Sequence, residues 1–514
     1  MNLWMLLEMA VEGAGDRVLI GSTRDGLTAA QLEHRARNAA ARFAGANVGH
    51  VGLVDVNSEA VAIALFGAAL AGLPFASVNY RLADDQLAEI FGRLAPAHMI
   101  VGRDMIKMVE RAGTGADLAV TTREQFLHAV ADDAGAPAAG GPQAEMSEST
   151  DADAVAILLF TSGTTGSPKA ALLRHRHLAS YVIATVEFMG AGVDEAQLVS
   201  VPPYHVAGLT AVITSIYSGR RIVYLPAFDA ESWVACIAEE QITHAMVVPT
   251  MLGRILDTME ARNVRLPSLR HLSYGGGRMP IDVIERAMTL LPNVNFVNAY
   301  GLTETSSTIA VLGPDDHREA AASDDPTVRG RLRSVGRPTP DVDLEIRSSE
   351  GASVPVGTRG EIYVRGEQVS GEYVGRSALT DDGWFPTNDR GSLDEAGFLY
   401  LDGRLDDVIV RGGENLSPVE IEEVLVTHEA VAAAAVVGIP DPEWGEAVAA
   451  AVVLAAGARV TAPELQQWVR ARLRSARTPQ VIAFRDELPY NETGKLLRRV
   501  LRHELAEISP RDAS

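Results

Sequence analysis

Cysteine is almost missing. Cys236 is the single one in 514 residues, so no intramolecular disulfide can form. No Cys/His cluster has zinc-ligand spacing either, and the fold is expected to rest on ordinary packing in a reducing, cytoplasmic setting. Positive charge is also short: 45 Lys and Arg face 67 Asp and Glu, a net −22. That balance argues against a chain whose main task is to grip nucleic acid or an anionic membrane, because polyanions are bound through clustered cations, and leaves only a local basic site open. The opening segment MNLWMLLEMAVEGAGDR has no basic stretch ahead of its apolar residues and carries Glu8 and Glu12, so it reads as a folded helix rather than an export signal.

Long apolar runs are scarce as well. The longest uncharged one, residues 60–78, is rich in Ala and Gly and interrupted by Gly67, Gly72 and Pro74, which fits buried core rather than an integral membrane segment. Ser58 and Glu59 start a helix there, between the strand-like runs VGLVDV and PFASV. Strand, helix, strand is the grammar of a parallel α/β sheet. The alternation continues with AVAILLF (154–160), helical spacing from Leu178 to Met189, RIVYL (221–225) and HAMVVP (244–249). No tandem repeat is found.

At roughly 150 residues per domain, the length suggests about three folding units. Residues 132–153 and 313–333 read as surface loops, from their Ala, Gly, Asp and Ser content and from Pro314 and Pro326. A sharper boundary falls within LDGRLDDVIVRGGENLSP (401–418). It divides the chain into residues 1–405 and a C-terminal domain of residues 406–514.

The chemistry concentrates in TSGTTGSPK (161–169), expected between a strand and a helix. Its hydroxyls, two glycines and lysine can wrap phosphate oxygens, because glycine lets the main chain approach closely and lysine supplies a point charge. It is neither a Walker loop nor a nucleophile elbow, whose GK[ST] and GxSxG spacings are absent. Downstream come SYGGGRMP (273–280), three glycines before a helix candidate, and YGLTET (300–305), then GRLDD (403–407), GGEN (412–415) and TGK (493–495).

In that order these motifs make the chain closely resemble an acyl-CoA synthetase, of the fatty-acid–CoA ligase kind, in the ANL superfamily of adenylate-forming enzymes. The resemblance covers nearly the whole chain. It implies a large N-terminal domain of Rossmann-like subdomains with a small β-barrel portion, followed by a mobile α+β C-terminal domain. It also implies the reaction, in which a carboxylate attacks the α-phosphate of ATP to give acyl-AMP and pyrophosphate, and a thiol then displaces AMP. ATP, Mg2+ and coenzyme A are the implied cofactors and co-substrates, and a small carboxylic acid is the substrate. No nucleic-acid partner is expected. Enzymes of this size commonly assemble with cyclic symmetry, so a homo-oligomer stays open.

Joining a carboxylate to a triphosphate brings like charges together and calls for cations and aligned donors rather than a protein nucleophile. By resemblance Thr161, Ser162, Gly163, Thr164, Thr165, Gly166 and Lys169 hold the β- and γ-phosphates, Thr303 touches the α-phosphate and Glu304 ligates magnesium. Gly275, Gly276 and Gly277 form a wall against adenine and acyl group, and Asn298, Ala299, Tyr300 and Gly301 join the nucleotide site. Asp389 and Arg404 match the positions that hold the ribose hydroxyls. The family usually has Gly before that aspartate, whereas this chain has Asn388. Asn tolerates the left-handed backbone that Gly allows, or else alters nucleotide fit.

Asp406 matches the hinge about which the C-terminal domain turns. Lys495 matches the lysine that bridges the acyl carboxylate and the α-phosphate, and Gly412 and Gly413 the loop that swings in for the thiol step. In isolation Lys495, Arg498 and Arg499 would be a solvated basic helix face. VPPYHVAGLT (201–210) resembles the acyl-pocket segment, with Tyr204 and His205 near the carboxylate and Val206, Ala207, Gly208 and Leu209 toward an apolar tail. His205 is read as a positioning residue, since a carboxylic acid is already ionised at pH 7. Ser306 and Ile309, expected on a helix after YGLTET, complete the pocket.

No acidic residue lies in 201–210 to pair with an α-ammonium group, which disfavours amino-acid activation. The favoured reading is a ligase for a medium, long, branched or cyclic acid and CoA. The alternatives are an adenylating enzyme that loads a carrier protein's phosphopantetheine thiol, and a degenerate, non-catalytic relative. Intact Lys169, Glu304, Asp389, Arg404 and Lys495 speak against the last.

Overall fold

The computed structural model describes residues 1–131, 151–161, 168–473, 475–490 and 496–508. The chain is mixed α/β and forms two units. The first comprises Met1–Leu332, Gly336–Asp343 and Val364–Phe385, and the second Arg333–Val335, Leu344–Tyr363 and Pro386–Ser514. The units therefore interleave along the chain before residue 405.

Two sheets carry the first unit. In the eight-stranded sheet, His50–Val54, Phe75–Ser77, Ala97–Val101, Leu118–Thr122 and Val155–Thr161 run parallel. In the nine-stranded sheet, Ala196–Val199, Arg221–Tyr224, His244–Val247, His271–Gly275 and Asn295–Leu302 do the same. Parallel strands need helical crossovers that cover both faces, which is why their sequences read as continuous apolar runs.

The helix Glu59–Leu70 confirms the core reading of the uncharged run, because Ala60 to Leu70 are all buried in one apolar cluster with strand residues of both sheets. Each fully buried Val, Leu, Ile or Phe side chain there contributes about 1.5–3 kcal/mol. Ser58 takes the N-cap position as expected, although its side chain makes no capping hydrogen bond. The opening segment is the helix Leu3–Ala14, capped by Asn2 Oδ1, which accepts from the Trp4 amide. Among the described residues no helix is long and apolar enough to cross a membrane.

The second unit holds most of a four-stranded sheet, Asp343–Arg347, Gly360–Arg365, Phe385–Leu393 and Leu399–Arg404, and a separate five-stranded sheet. The four strands follow an open order, where a small barrel portion was expected.

Three further expectations are corrected. TSGTTGSPK does not lead from strand to helix: it joins Val155–Thr161 to an antiparallel strand, Lys169–Arg174, and the helix His175–Thr185 follows only after that. A six-residue apolar run cannot be told from a helix start by periodicity. The segment after YGLTET is a strand, Ser307–Leu312, paired antiparallel with Asn295–Leu302. Residues 313–333 are mostly helical, with Pro314–Ala322 and Pro326–Gly330 each opening on a proline, which suits the first helical position because its missing N–H is unneeded there. His317 anchors this segment: its Nδ1 donates to the Gly313 carbonyl and its Nε2 accepts from the buried Tyr274 hydroxyl, both at 2.8 Å. Residues 132–150 lie outside the described residues.

Two buried histidines set an acid limit. Burial pushes His175 and His177 down to about 4, helped by the N-terminal ammonium at His175 and by Arg176 at His177. Neutral His175 accepts from the Leu3 amide through Nδ1 (3.2 Å). The unfolded chain takes up these protons near pH 6.5 and the folded chain only near pH 4, so their stabilisation is complete above about pH 6.5 and is lost as pH falls toward about 4. Thermal melts should show that decline, and His175→Gln, which keeps an acceptor but does not titrate, should make it shallower.

Candidate active site

The Gly/Ser/Thr loop is anchored at both ends. Thr161 and Lys169 are the last paired residues of their hairpin, and Thr161 Oγ1 donates to the Lys169 carbonyl at 3.4 Å. Ser162, Gly163, Thr164, Thr165 and Gly166 lie outside the described residues.

The second component is a pair of adjacent interior strands of the nine-stranded sheet. His271–Gly275 and Asn295–Leu302 lie side by side, so close at Gly275 that an added Cβ would stand 2.3 Å from the Ala299 carbonyl oxygen. Gly301 is tighter still, with 1.7 Å to the Ser307 carbonyl oxygen. Any side chain at either position would force the strands apart. Gly276 and Gly277 are exposed beyond the strand end, while Asn298 and Tyr300 are buried and Ala299 is half-buried.

After Leu302 the chain makes one tight 3₁₀ turn, Thr303–Thr305. The Thr305 hydroxyl accepts from the Leu302 amide (3.0 Å) and donates to the Ser307 carbonyl (2.8 Å). Ser306 has φ 55° and Ser307 φ 111°, left-handed values that reverse the chain into the returning strand. The turn leaves Thr303 half-buried and buries the Glu304 carboxylate at 8% exposure. Tyr373 Oη donates to Glu304 Oε1 at 2.5 Å, a short, charge-assisted bond.

A two-residue strand, Glu372–Tyr373, links the two components. It pairs antiparallel with Lys169–Arg174, Glu372 opposite Leu172 and Tyr373 opposite Ala171. Arg174 forks onto the Glu372 carboxylate (2.6 Å), and this guanidinium holds Glu372 below the usual carboxylate range. Just upstream, the Ser370 and Gly371 amides donate to the Glu304 carbonyl (2.8 and 3.1 Å), and buried Gln368 donates to the Thr305 and Thr308 carbonyls (3.0 and 2.8 Å). Lys169 and Glu304 therefore sit on one hydrogen-bonded frame.

The sequence-predicted pocket segment turns into a helix, Val206–Ser218, with His205 at its N-cap. Tyr204 is buried, and burial pushes its hydroxyl up, so it stays protonated at neutral pH. Ala207 and Gly208 line a small cavity with Ser200, Val201, Ala211 and Met246. Leu209 does not face it but is wholly buried in the apolar cluster, and Val206 packs against the same cluster. Ser306 and Ile309 are fully buried in the turn and the returning strand.

In the second unit, Asp389 and Arg404 are direct cross-strand partners, with Arg404 Nε 3.5 Å from Asp389 Oδ1. Asn388 has φ 62°, the left-handed conformation for which Gly is the usual residue. Its Nδ2 donates to Asp406 Oδ2 at 2.7 Å. The next residue, Asp407, lies 3.4 Å from Arg498, which also bonds Glu422 (2.5 Å), so Arg498 is no solvated surface cation. Gly412 and Gly413 are exposed with positive φ. Lys495 lies outside the described residues.

Sequence reasoning missed Tyr373, Gln368 and the Arg174–Glu372 pair. The pair is 198 residues apart, and nothing in local pattern connects its members. Among the described residues no group of three or more His, Cys, Asp or Glu could hold a metal ion. A single buried carboxylate such as Glu304, held through Oε1 with Oε2 left over, fits Mg2+, which takes one or two carboxylates and completes its shell with phosphate oxygens and water.

Residues 7–374 match the family described as AMP-binding enzyme, and residues 420–495 match the AMP-binding enzyme C-terminal domain. The chain is 33% identical over 484 residues to a feruloyl-CoA synthase of Amycolatopsis sp, covering 93% of each. It is 30% identical to the long-chain-fatty-acid–CoA ligase FadD13 of Mycobacterium tuberculosis, covering 90% of this chain and 89% of that one. It superposes on o-succinylbenzoate CoA synthetase (MenE) from Bacillus subtilis in complex with the acyl-adenylate intermediate OSB-AMP, with TM-score 0.79, 26% identity and 98% of both chains covered.

The left-handed backbone at residue 388 has a measurable consequence. Asn388→Gly should keep the fold, whereas Asn388→Val should cost about 1–2 kcal/mol, because a β-branched side chain is strained there. Urea denaturation of the two variants checks this.

Proposed function

From the premise that the chain belongs to the AMP-binding enzyme family, as an AMP-forming ligase of the acyl-CoA synthetase group, we propose that it activates a medium, long, branched or cyclic carboxylic acid with ATP and transfers it to coenzyme A. The observation that carries this reading is the single frame in which the Glu372–Tyr373 strand bonds both the strand headed by Lys169 and the turn that buries Glu304. That frame suits the gathering of a triphosphate's negative charge in one place. The names of the relatives, with their aromatic and fatty acyl groups, support an apolar acid.

In the first half-reaction a carboxylate oxygen bonds to the α-phosphorus while the bond to the β-phosphate oxygen breaks, releasing pyrophosphate. Thr161, Ser162, Gly163, Thr164, Thr165, Gly166 and Lys169 hold the β- and γ-phosphates, and Thr303 donates to the α-phosphate. Glu304 would hold Mg2+, which would supply neutralisation of the phosphate charge. Gly275, Gly276, Gly277 and the residues 298–301 flank the adenine, while Asp389 accepts from and Arg404 donates to the ribose hydroxyls. Tyr204 and His205 orient the incoming carboxylate. Lys495 bridges that carboxylate and the α-phosphate, supplying charge where the transition state develops it.

In the second half-reaction residues 406–514 turn about Asp406 against residues 1–405, and the loop at Gly412 and Gly413 lets the pantetheine arm pass close to backbone. The thiol sulfur bonds to the acyl carbon, the bond to AMP breaks, and the thiol proton is released.

Mass spectrometry after incubation with MgATP and a panel of fatty, branched, aromatic and steroid-like acids, with and without CoA, tests the reading. Acyl-CoA formed only when CoA is added is expected. Accumulated acyl-AMP that CoA leaves unchanged would overturn CoA as acceptor in favour of a carrier-protein thiol. Lys495→Ala should slow acyl-AMP formation by about 100-fold or more yet leave thiolysis of supplied acyl-AMP nearly intact. Equal loss in both half-reactions would remove that role.

A further inference from the structure

Glu304 is gripped twice by one short segment. The Ser370 and Gly371 amides fix its carbonyl, and three residues on the Tyr373 hydroxyl fixes its side chain through Oε1. A glutamate side chain has three rotatable bonds, and one that must offer an oxygen to a small, geometrically demanding cation loses that freedom on binding. A carboxylate carries two oxygens, so a donor on Oε1 still leaves Oε2 able to coordinate while setting the direction in which it points.

The tyrosine is itself held. It lies on a strand paired with the Lys169–Arg174 strand, opposite Ala171, and its neighbour Glu372 is clamped by Arg174. The Arg376 guanidinium stands over its ring, 4.9 Å from the centroid, and a cation over a phenol ring polarises the O–H toward its acceptor.

We propose that Tyr373 is a positioning residue that aims the Glu304 carboxylate at the metal–nucleotide complex, so that metal affinity depends on a hydroxyl that never touches the metal. This rests on the reading of Glu304 as the magnesium ligand. Outer partners that orient a ligating group are worth about 10- to 100-fold in metal affinity.

The test titrates Mn2+, a paramagnetic substitute for Mg2+, into the full-length protein with a non-hydrolysable ATP analogue, and follows free Mn2+ by electron paramagnetic resonance. Tyr373→Phe should raise the apparent Mn2+ Kd about tenfold, with the melting temperature and analogue affinity in the absence of metal unchanged. Pyrophosphate release by this variant should recover at high Mg2+, so the concentration dependence on metal shifts while kcat holds. Ser370→Ala removes the neighbouring hydroxyl, which donates to the Leu172 carbonyl, without touching the Tyr373–Glu304 bond, and should leave the Kd as it was.

Glu304→Gln separates the two levels of the argument. If it weakens Mn2+ binding and Tyr373→Phe does not, Tyr373 has no positioning role and the Glu304 reading stands. If Glu304→Gln leaves binding unchanged, both fall. Equal weakening by Ser370→Ala and Tyr373→Phe would mean a general loosening of the segment and would also overturn the proposal. Should Tyr373→Phe melt early, 3-fluorotyrosine at this position keeps the shape and strengthens the donor. It should bind Mn2+ at least as tightly as the native protein, and weaker binding overturns the proposal.

Discussion

The two-residue strand Glu372–Tyr373 is the interaction on which the first unit's site depends. It extends one side of the eight-stranded sheet by pairing with Lys169–Arg174, and through Tyr373 and the Ser370 and Gly371 amides it holds the turn that carries Glu304. This segment thus joins the strand that follows the Gly/Ser/Thr loop to the turn after Leu302, pairing with the first and bonding the main chain and side chain of Glu304 in the second. The Arg174–Glu372 pair secures the strand from one side. Being bidentate and partly buried, it is worth more than an exposed ion pair, which contributes about 0–1 kcal/mol.

Close backbone approach is the second constraint. Gly275 against Ala299 and Gly301 against Ser307 bring strands nearer than any Cβ permits. The turn at Thr303–Thr305 then buries a carboxylate at the end of a strand, where its carbonyl accepts from two amides. In the second unit the same economy appears at residue 388, where an asparagine takes the left-handed conformation and uses its side chain to hold Asp406. Asp407, its neighbour, is held instead by Arg498. Adjacent carboxylates at the proposed hinge thus answer to different elements, Asp406 to the strand Phe385–Leu393 and Asp407 to the helix Arg498–Ala506.

Much of this was legible beforehand. The alternation of strand and helix identified a parallel α/β architecture, and the uncharged run 60–78 was readable as core because glycine, proline and alanine suit packing better than a membrane span. The matched pair Asp389 and Arg404 came from motif resemblance, and the structure makes them direct cross-strand neighbours. Illegible were the strand Lys169–Arg174, too short for its period to declare itself, and the short helices in 313–333, whose prolines read as loop punctuation although they stand at helix starts. Leu209 was assigned to a pocket from its place in a motif, yet packing puts it wholly in the core.

Sequence alone determined what local chemistry can encode: the single cysteine that rules out an intramolecular disulfide, the glycines where backbones must meet, the order of motifs that names the family, and the hydroxyls and cations suited to phosphate. Tertiary structure alone decided which distant groups meet. Arg174 and Glu372 are 198 residues apart, and Tyr373 and Glu304 are 69 apart. Such pairings follow from sheet order and strand register, which arise from how the apolar faces of many elements pack at once, so no window of local sequence contains them.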